Sequence, residues 1–235
     1  MNKFLMMSLI LSITKIVYAD NNQWTGLYAG VNAGYVFNSV QLKSQQLGFT
    51  NPDGTCDTNS NYSTFFPGLQ LGYLYPYQNY FVSGMEINVT PYAKQNDTLD
   101  CPCPHNMNVS DRFTFKNRVQ SAVKGRIGRA VNWNANNLLP YLTVGASIAS
   151  VGLAYQNEGG DYYSKNTTGV GWLIGAGIEW AFLSHWSLRA EYDYIDYGNS
   201  IQMKIPSVYE LVDPNGQAKV KLNSNTLLIS VNYWI

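Results

Sequence analysis

The last eleven residues, Asn225 to Ile235, carry apolar side chains at every second position: Leu227, Ile229, Val231, Tyr233 and Ile235. A period of two marks a strand with one apolar face. The intervening Leu228, Ser230, Asn232 and Trp234 are mixed and tolerate polar surroundings. A strand of this kind fits the wall of a barrel in lipid.

The pattern recurs along the chain. Gly26 to Phe37 sets Leu27, Ala29, Val31, Ala33, Tyr35 and Phe37 against Gly30, Asn32 and Gly34. Ser63 to Tyr75 sets Leu69, Leu71, Tyr73 and Tyr75 against Gly68, Gln70 and Gly72, and Tyr80 to Lys94 sets Phe81, Met85, Ile87 and Val89 against Gly84, Glu86, Asn88 and Thr90. The turn signal at 76–79 joins these two into a hairpin. Pro67 and Pro91 weaken them locally, since proline donates no ladder bond. Arg112 to Ala130 opposes Arg118, Gln120, Lys124, Arg126 and Gly128 to Val119, Val123 and Ile127. Leu139 to Tyr155, Thr168 to Phe182 and Trp186 to Gly198 follow, the last placing Arg189, Glu191 and Asp193 opposite Leu188, Ala190, Tyr192 and Tyr194. With the terminal strand the count is eight, and the predicted fold is an all-β, eight-stranded antiparallel up-and-down transmembrane barrel.

The connections alternate in length. They are long at 38–62, 95–111, 156–167 and 199–222, and short at 76–79, 131–138 and 183–185. Long loops at one end and tight turns at the other are how outer-membrane barrels are built, with the long loops at the cell surface and both termini in the periplasm. In the last long loop, Ile201, Met203 and Ile205 precede Asp213-Pro214-Asn215-Gly216, then Val220 and Leu222. This reads as a hairpin prolonging the last two strands; ten wall strands is the alternative count.

Residues 1–19 read as an export signal: Lys3, an apolar stretch from Phe4 to Ile13, and the small-residue site Val17-Tyr18-Ala19. The mature chain, 20–235, then forms one barrel domain. Fifteen Lys plus Arg match fifteen Asp plus Glu, so there is no basic excess to neutralise nucleic-acid phosphates. Without an apolar run long enough for a spanning helix, a closed barrel is the one way to cross a membrane, because every backbone amide in hydrocarbon must be paired.

Eight strands enclose a lumen that side chains fill, which suits the inward glycines. Glu86, Lys124, Arg126, Glu179, Arg189, Glu191 and Asp193 share that inward face. They are expected to form a lumenal salt-bridge network, and counting around the 183–185 turn brings Glu179 opposite Arg189 as a cross-strand ion pair. The outward aromatics Tyr35, Phe37, Tyr73, Tyr75, Trp172, Trp180, Phe182, Trp186, Tyr192, Tyr194 and Tyr233 read as belts at the lipid headgroups. Tyr62, Tyr162, Tyr163 and Tyr209 are the loop residues that would suit sugar stacking.

Catalysis is poorly supported. The chain has two histidines, His105 beside prolines and His185 in a short turn, and neither has an evident nucleophile, as a lipid deacylase or acyltransferase would need. Cys101-Pro-Cys103-Pro-His105 matches no common zinc spacing, and nothing asks for a cofactor or metal. A soluble lipocalin-like carrier shares the strand number, but would turn its apolar residues inward.

Trp24-Thr25-Gly26-Leu27-Tyr28-Ala29-Gly30-Val31-Asn32-Ala33-Gly34-Tyr35 resembles the opening strand of the opacity-type outer-membrane β-barrel family. Lys124-Gly125-Arg126-Ile127-Gly128, Leu139-Pro140-Tyr141, Gly175-Ala176-Gly177-Ile178-Glu179-Trp180 and Trp186-Ser187-Leu188-Arg189-Ala190-Glu191-Tyr192 follow in that family's order. The resemblance covers the mature chain outside the long loops. It implies an eight-stranded barrel in a Gram-negative outer membrane, with surface loops that differ between relatives. The expected function is a non-enzymatic structural, surface-antigen or adhesin-like role carried by those extracellular loops. Such a barrel would be monomeric and would meet outer-membrane lipid and lipopolysaccharide, the barrel-assembly machinery and, through its loops, a host or extracellular ligand. Ile235 stands where such proteins end in a phenylalanine read by that machinery. The resemblance to these proteins and to the outer-membrane protein A barrel also raises the alternative of a narrow gated pore; otherwise the charges are a plug.

Cys56, Cys101 and Cys103 all fall in the first two long loops, in oxidising territory. A bridge from Cys56 to Cys101 or Cys103 should lower the intact mass by two hydrogens relative to the reduced chain, leaving one thiol to alkylate; three alkylated thiols without reductant would exclude it.

Overall fold

The computed structural model describes residues 21–45, 55–77, 80–102, 110–133, 136–156, 162–198, 201–204 and 217–235. The expected leader lies outside them. Ten strands appear among the described residues. Eight build the wall: β1 (Gly26–Gln45), β2 (Thr55–Pro76), β3 (Phe81–Pro102), β4 (Ser110–Arg129), β6 (Asn136–Gln156), β7 (Tyr162–Leu183), β8 (Trp186–Asp196) and β10 (Gln217–Trp234). The short β5 (Val131–Trp133) pairs with the start of β6, and β9 (Ile201–Lys204) pairs with the start of β10 beyond the end of β8.

Each wall strand pairs antiparallel with the next, and β1 pairs with β10 from Tyr28↔Trp234 to Gln45↔Gln217, closing the ring. Closure removes the sheet edges that hydrocarbon would not tolerate. The first and last described residues lie at one end, here called the near end. There Ile235 N–H donates to the Leu27 carbonyl at 2.9 Å, and Gly26 takes a positive φ of 113°, open to glycine at little cost.

The alternation seen in the sequence becomes inside and outside. Ile229 is 56% exposed and its neighbour Ser230 1%. Val31, Leu69, Met85, Leu142 and Ile174 share the outer surface with Ile229. The outward aromatics gather at two levels: Trp180 and Phe182 lie near the turns, and Trp172 with Tyr194 toward the far end. From Trp172 to Phe182 is ten residues; at about 3.3 Å each on a strand tilted by about 40°, that spans about 25 Å, the height of an outer-membrane apolar band. No described helix is long and apolar enough to cross a membrane.

The strands run further than the alternation marks. β1 and β2 stay paired to Gln45↔Thr55, β3 and β4 to Pro102↔Ser110, and β6 and β7 to Gln156↔Tyr162, so much of 38–62, 95–111 and 156–167 is strand rather than loop. Beyond the lipid the outward face meets water and needs no apolar residue, as at the exposed Gln41 and Lys43, while Val40, Val220 and Leu222 stay buried inside, so pairing persists where the outward apolar period has gone. The predicted terminal hairpin is present as Gln217↔Lys204 to Val220↔Ile201. Proline leaves its mark: the β2–β3 ladder ends at Leu69↔Val89, just short of Pro67 and Pro91, and the β3–β4 register shifts between Pro91 and Gln95.

Glycine sets how tightly the wall can close on its contents. A side chain at Gly72 would collide with the ring of Tyr28. Gly72→Val should therefore cost about 1–3 kcal/mol of overpacking, lowering the urea midpoint of the barrel in micelles. Leu71→Val, one residue along and facing lipid, should leave the midpoint nearly unchanged.

Candidate functional site

The described lumen is filled in layers. At the near end Trp24, from the 3-10 turn Asn21–Trp24, lies wholly buried against Trp234 with ring centroids 5.8 Å apart, edge to face. Tyr28, Leu74, Val82, Ala130, Leu139 and Tyr141 complete this apolar cork. Gln23 anchors it, donating to the Leu183 carbonyl at 3.4 Å and accepting from Asn137. Trp24 precedes the first strand, so no periodicity points to it.

Above the cork lies a belt of seven buried charges: Glu86, Lys124, Arg126, Glu179, Arg189, Glu191 and Asp193. Alternation on β3, β4, β7 and β8 turns all of them inward. Lys124 Nζ donates to Glu191 Oε1 and to Asp193 Oδ2, each at 2.5 Å. Arg126 donates to Glu179 Oε2 at 2.8 Å and to the Tyr28 hydroxyl at 2.7 Å, and its guanidinium lies 3.9 Å from the centroid of the Tyr141 ring. Arg189 donates to both oxygens of Glu86 and, at 2.6 Å, to Gln70 Oε1. Tyr28 donates to Glu86 at 2.5 Å and Tyr141 to Glu191.

The expected cross-strand ion pair is not made. Glu179 and Arg189 are register partners, yet Glu179 takes Arg126 and accepts from Ser187 at 2.6 Å and Asn232 at 2.7 Å, while Arg189 crosses to Glu86. Glu86 and Lys124 are register partners too, and Lys124 likewise reaches elsewhere. In a narrow barrel long side chains extend from the wall to the middle, where their heads meet heads from distant strands. The ion pairs therefore brace β3 to β8, β4 to β7 and β4 to β8 across the lumen. Asn88 donates to Glu86 and Asn232 to Glu179, and Asn32 and Gln70 extend the network to them, while Arg126 Nε, Arg189 Nε and Asp193 Oδ1 make no hydrogen bond to protein.

Beyond the belt the inward residues become mostly apolar again: Val36, Phe66, Leu228, Leu173 and Ile195 are buried. A narrow cavity between them and Lys124 is lined also by Asn88, Thr90, Asp193 and Thr226.

The other sequence candidates fall elsewhere. His185 sits exposed in a near-end turn, stacked on Tyr233 at 5.9 Å. Cys56 and Cys101 belong to the backbones of β2 and β3, but the side chains of all three cysteines, with His105 and Tyr209, lie outside the described residues, as do the side chains of Tyr162 and Tyr163. Among the described residues no group of three or more His, Cys, Asp or Glu could hold a metal ion.

A sequence profile described as the outer membrane protein beta-barrel domain matches residues 6–233. The 31 kDa outer-membrane immunogenic protein of Brucella melitensis is 29% identical over 224 residues, 91% of this chain and 85% of that protein. The 25 kDa outer-membrane immunogenic protein of Brucella ovis is 28% identical over 184 residues, 78% of this chain and 74% of that protein. Among solved structures, the outer membrane protein OprG of Pseudomonas aeruginosa aligns with a TM-score of 0.54 at 14% identity, covering 90% of this chain and 96% of that one, a likeness of fold.

Lys124→Met would strand Glu191 and Asp193 without their shared cation. The loss should be about 3–5 kcal/mol in urea unfolding of the micellar barrel, and Asp193→Asn in the same chain should recover part of it; an unchanged midpoint for Lys124→Met would show that the belt does not hold the wall together.

Proposed function

The chain belongs to the outer membrane protein beta-barrel domain family, and from that premise we propose that it is a sealed, non-enzymatic surface barrel acting through the segments that join its strands at the far end. In this reading both termini lie in the periplasm and the far end meets the exterior. The cork and the ion-paired belt carry the proposal, since their buried side chains occupy the lumen at the near end and at its middle. A lumen so filled conducts poorly unless its side chains rearrange. The wall itself offers a lipid surface, so partner chemistry is left to the far-end loops within 38–62, 95–111, 156–167 and 199–222.

Several observations support a surface role without catalysis. The curated relatives carry names that describe outer-membrane immunogens. His185 lies at the near end, which this reading places in the periplasm, away from surface substrates. Lipid and lipopolysaccharide cover the exposed apolar band, and the belts of aromatic rings hold its depth. The barrel works as a monomer, assembled by the machinery that serves such proteins.

Two measurements test the reading. In a planar bilayer the purified barrel should give no large, steady conductance steps; such steps would make it a pore. Replacing the four connecting segments with short Gly-Ser linkers should leave a folded barrel in the outer membrane and abolish adherence of the expressing cells to host cells. Adherence that survives would move the function into the wall.

A further inference from the structure

The belt is not electrically balanced. Among the described residues it holds four carboxylates, Glu86, Glu179, Glu191 and Asp193, against three cations, Lys124, Arg126 and Arg189, all nearly or fully excluded from solvent. One negative charge is in excess in a low-dielectric interior, where an uncompensated charge is costly.

The unspent oxygens show where that charge resides. Thr143 on β6, Gly175 on β7, Asp193 on β8 and Thr226 on β10 are successive register partners and form one inward row. Asp193 gives Oδ2 to Lys124, but its Oδ1 makes no hydrogen bond to protein, and neither do Thr143 Oγ1 and Thr226 Oγ1. These three residues are between 2% and 4% exposed. A side chain at Gly175 would strike both Asp193 Oδ1 and the Thr143 methyl, so glycine is what lets these two groups converge. Asp193 and Thr226 also line the narrow cavity above the belt, beside Thr90 and Asn88.

We infer that this row, with Asp193 Oδ1 as its charged member and Thr226 as a neutral one, binds a single monovalent alkali cation within the lumen. The excess of one unit calls for one positive charge; a divalent ion would reverse the imbalance. The donor set is all oxygen, which suits a hard cation. A water molecule would satisfy the oxygens and leave the charge, whereas a cation meets both demands. The site is independent of whatever the surface segments bind. It adds a fourth positive charge beside Lys124 and completes the seal.

Thermal unfolding of the folded barrel in micelles tests this, in choline, sodium or potassium chloride at equal ionic strength. The melting temperature should rise saturably with sodium or potassium over choline, as for a ligand that binds the native state alone. Thr226→Val should weaken the apparent affinity roughly tenfold, the loss of one neutral oxygen ligand. Asp193→Asn should remove the alkali response from a barrel that still folds, and thallium should give an anomalous scattering peak beside Asp193 Oδ1 in crystals of the wild type. Equal melting temperatures in all three salts would overturn the inference. So would an infrared band of a protonated carboxyl that disappears in Asp193→Asn, since a proton would then be the compensating charge. If Asp193→Asn does not fold, Thr226→Val decides: an alkali response identical to wild type would also overturn it.

Discussion

A strand in hydrocarbon has no water to satisfy its amides, so every ladder must find a partner, and the β1–β10 pairing that closes the ring is the constraint from which the rest of this structure follows. Closure with eight strands fixes a narrow lumen and divides each strand into a lipid face and an interior face. The lipid face is simple: Leu, Ile, Val and aromatic side chains, with the rings at two levels. The interior is harder to fill, because alternation turns inward every residue that lipid would reject.

The interior is solved in tiers. Glycine is placed where a neighbour's large side chain needs the space, as at Gly72 beneath Tyr28. The near end is stoppered by the Trp24–Trp234 contact, and the middle by ion pairs whose hydrogen-bonded members reach across the lumen, with the longer Arg126–Glu86 contact of 3.6 Å running along the wall. Such buried pairs add little net stability over apolar packing, because desolvation offsets most of their attraction. Their effect lies elsewhere. Removing one of the three cations strands buried carboxylates, so Lys124, Arg126 and Arg189 hold the belt together. This makes the belt a shape-holding element.

The wall was legible in the sequence because lipid imposes a strict period of two, from Leu27 to Phe37 and again from Leu227 to Ile235. Where lipid ends the signal ends too, and the stretches 38–45 and 55–62 paired without announcing it. Pro67 and Pro91 marked the end of the β2–β3 ladder correctly, since the missing N–H acts locally. The seven inward charges were readable one by one from the face they occupy. Their partners were not: register names the neighbour on the next strand, and Glu179 and Arg189 are such neighbours, but reach and lumen width decide which heads meet. Trp24 was hidden for a different reason: it lies before the first strand, outside the period of two, and only the family resemblance of the segment from Trp24 to Tyr35 touched it.

The barrel's interior and exterior are decided by which face of each pleat meets lipid. Nitroxide labels at Ile229→Cys and Ser230→Cys in the reconstituted barrel test it most directly through their collision rates with oxygen, which concentrates in the bilayer, and with a water-soluble nickel complex. The label at 229 should relax with oxygen as a lipid-exposed group does, and the label at 230 should be immobilised and shielded from both agents. Oxygen access at 230 with shielding at 229 would contradict the barrel's inside and outside, and with them the belt.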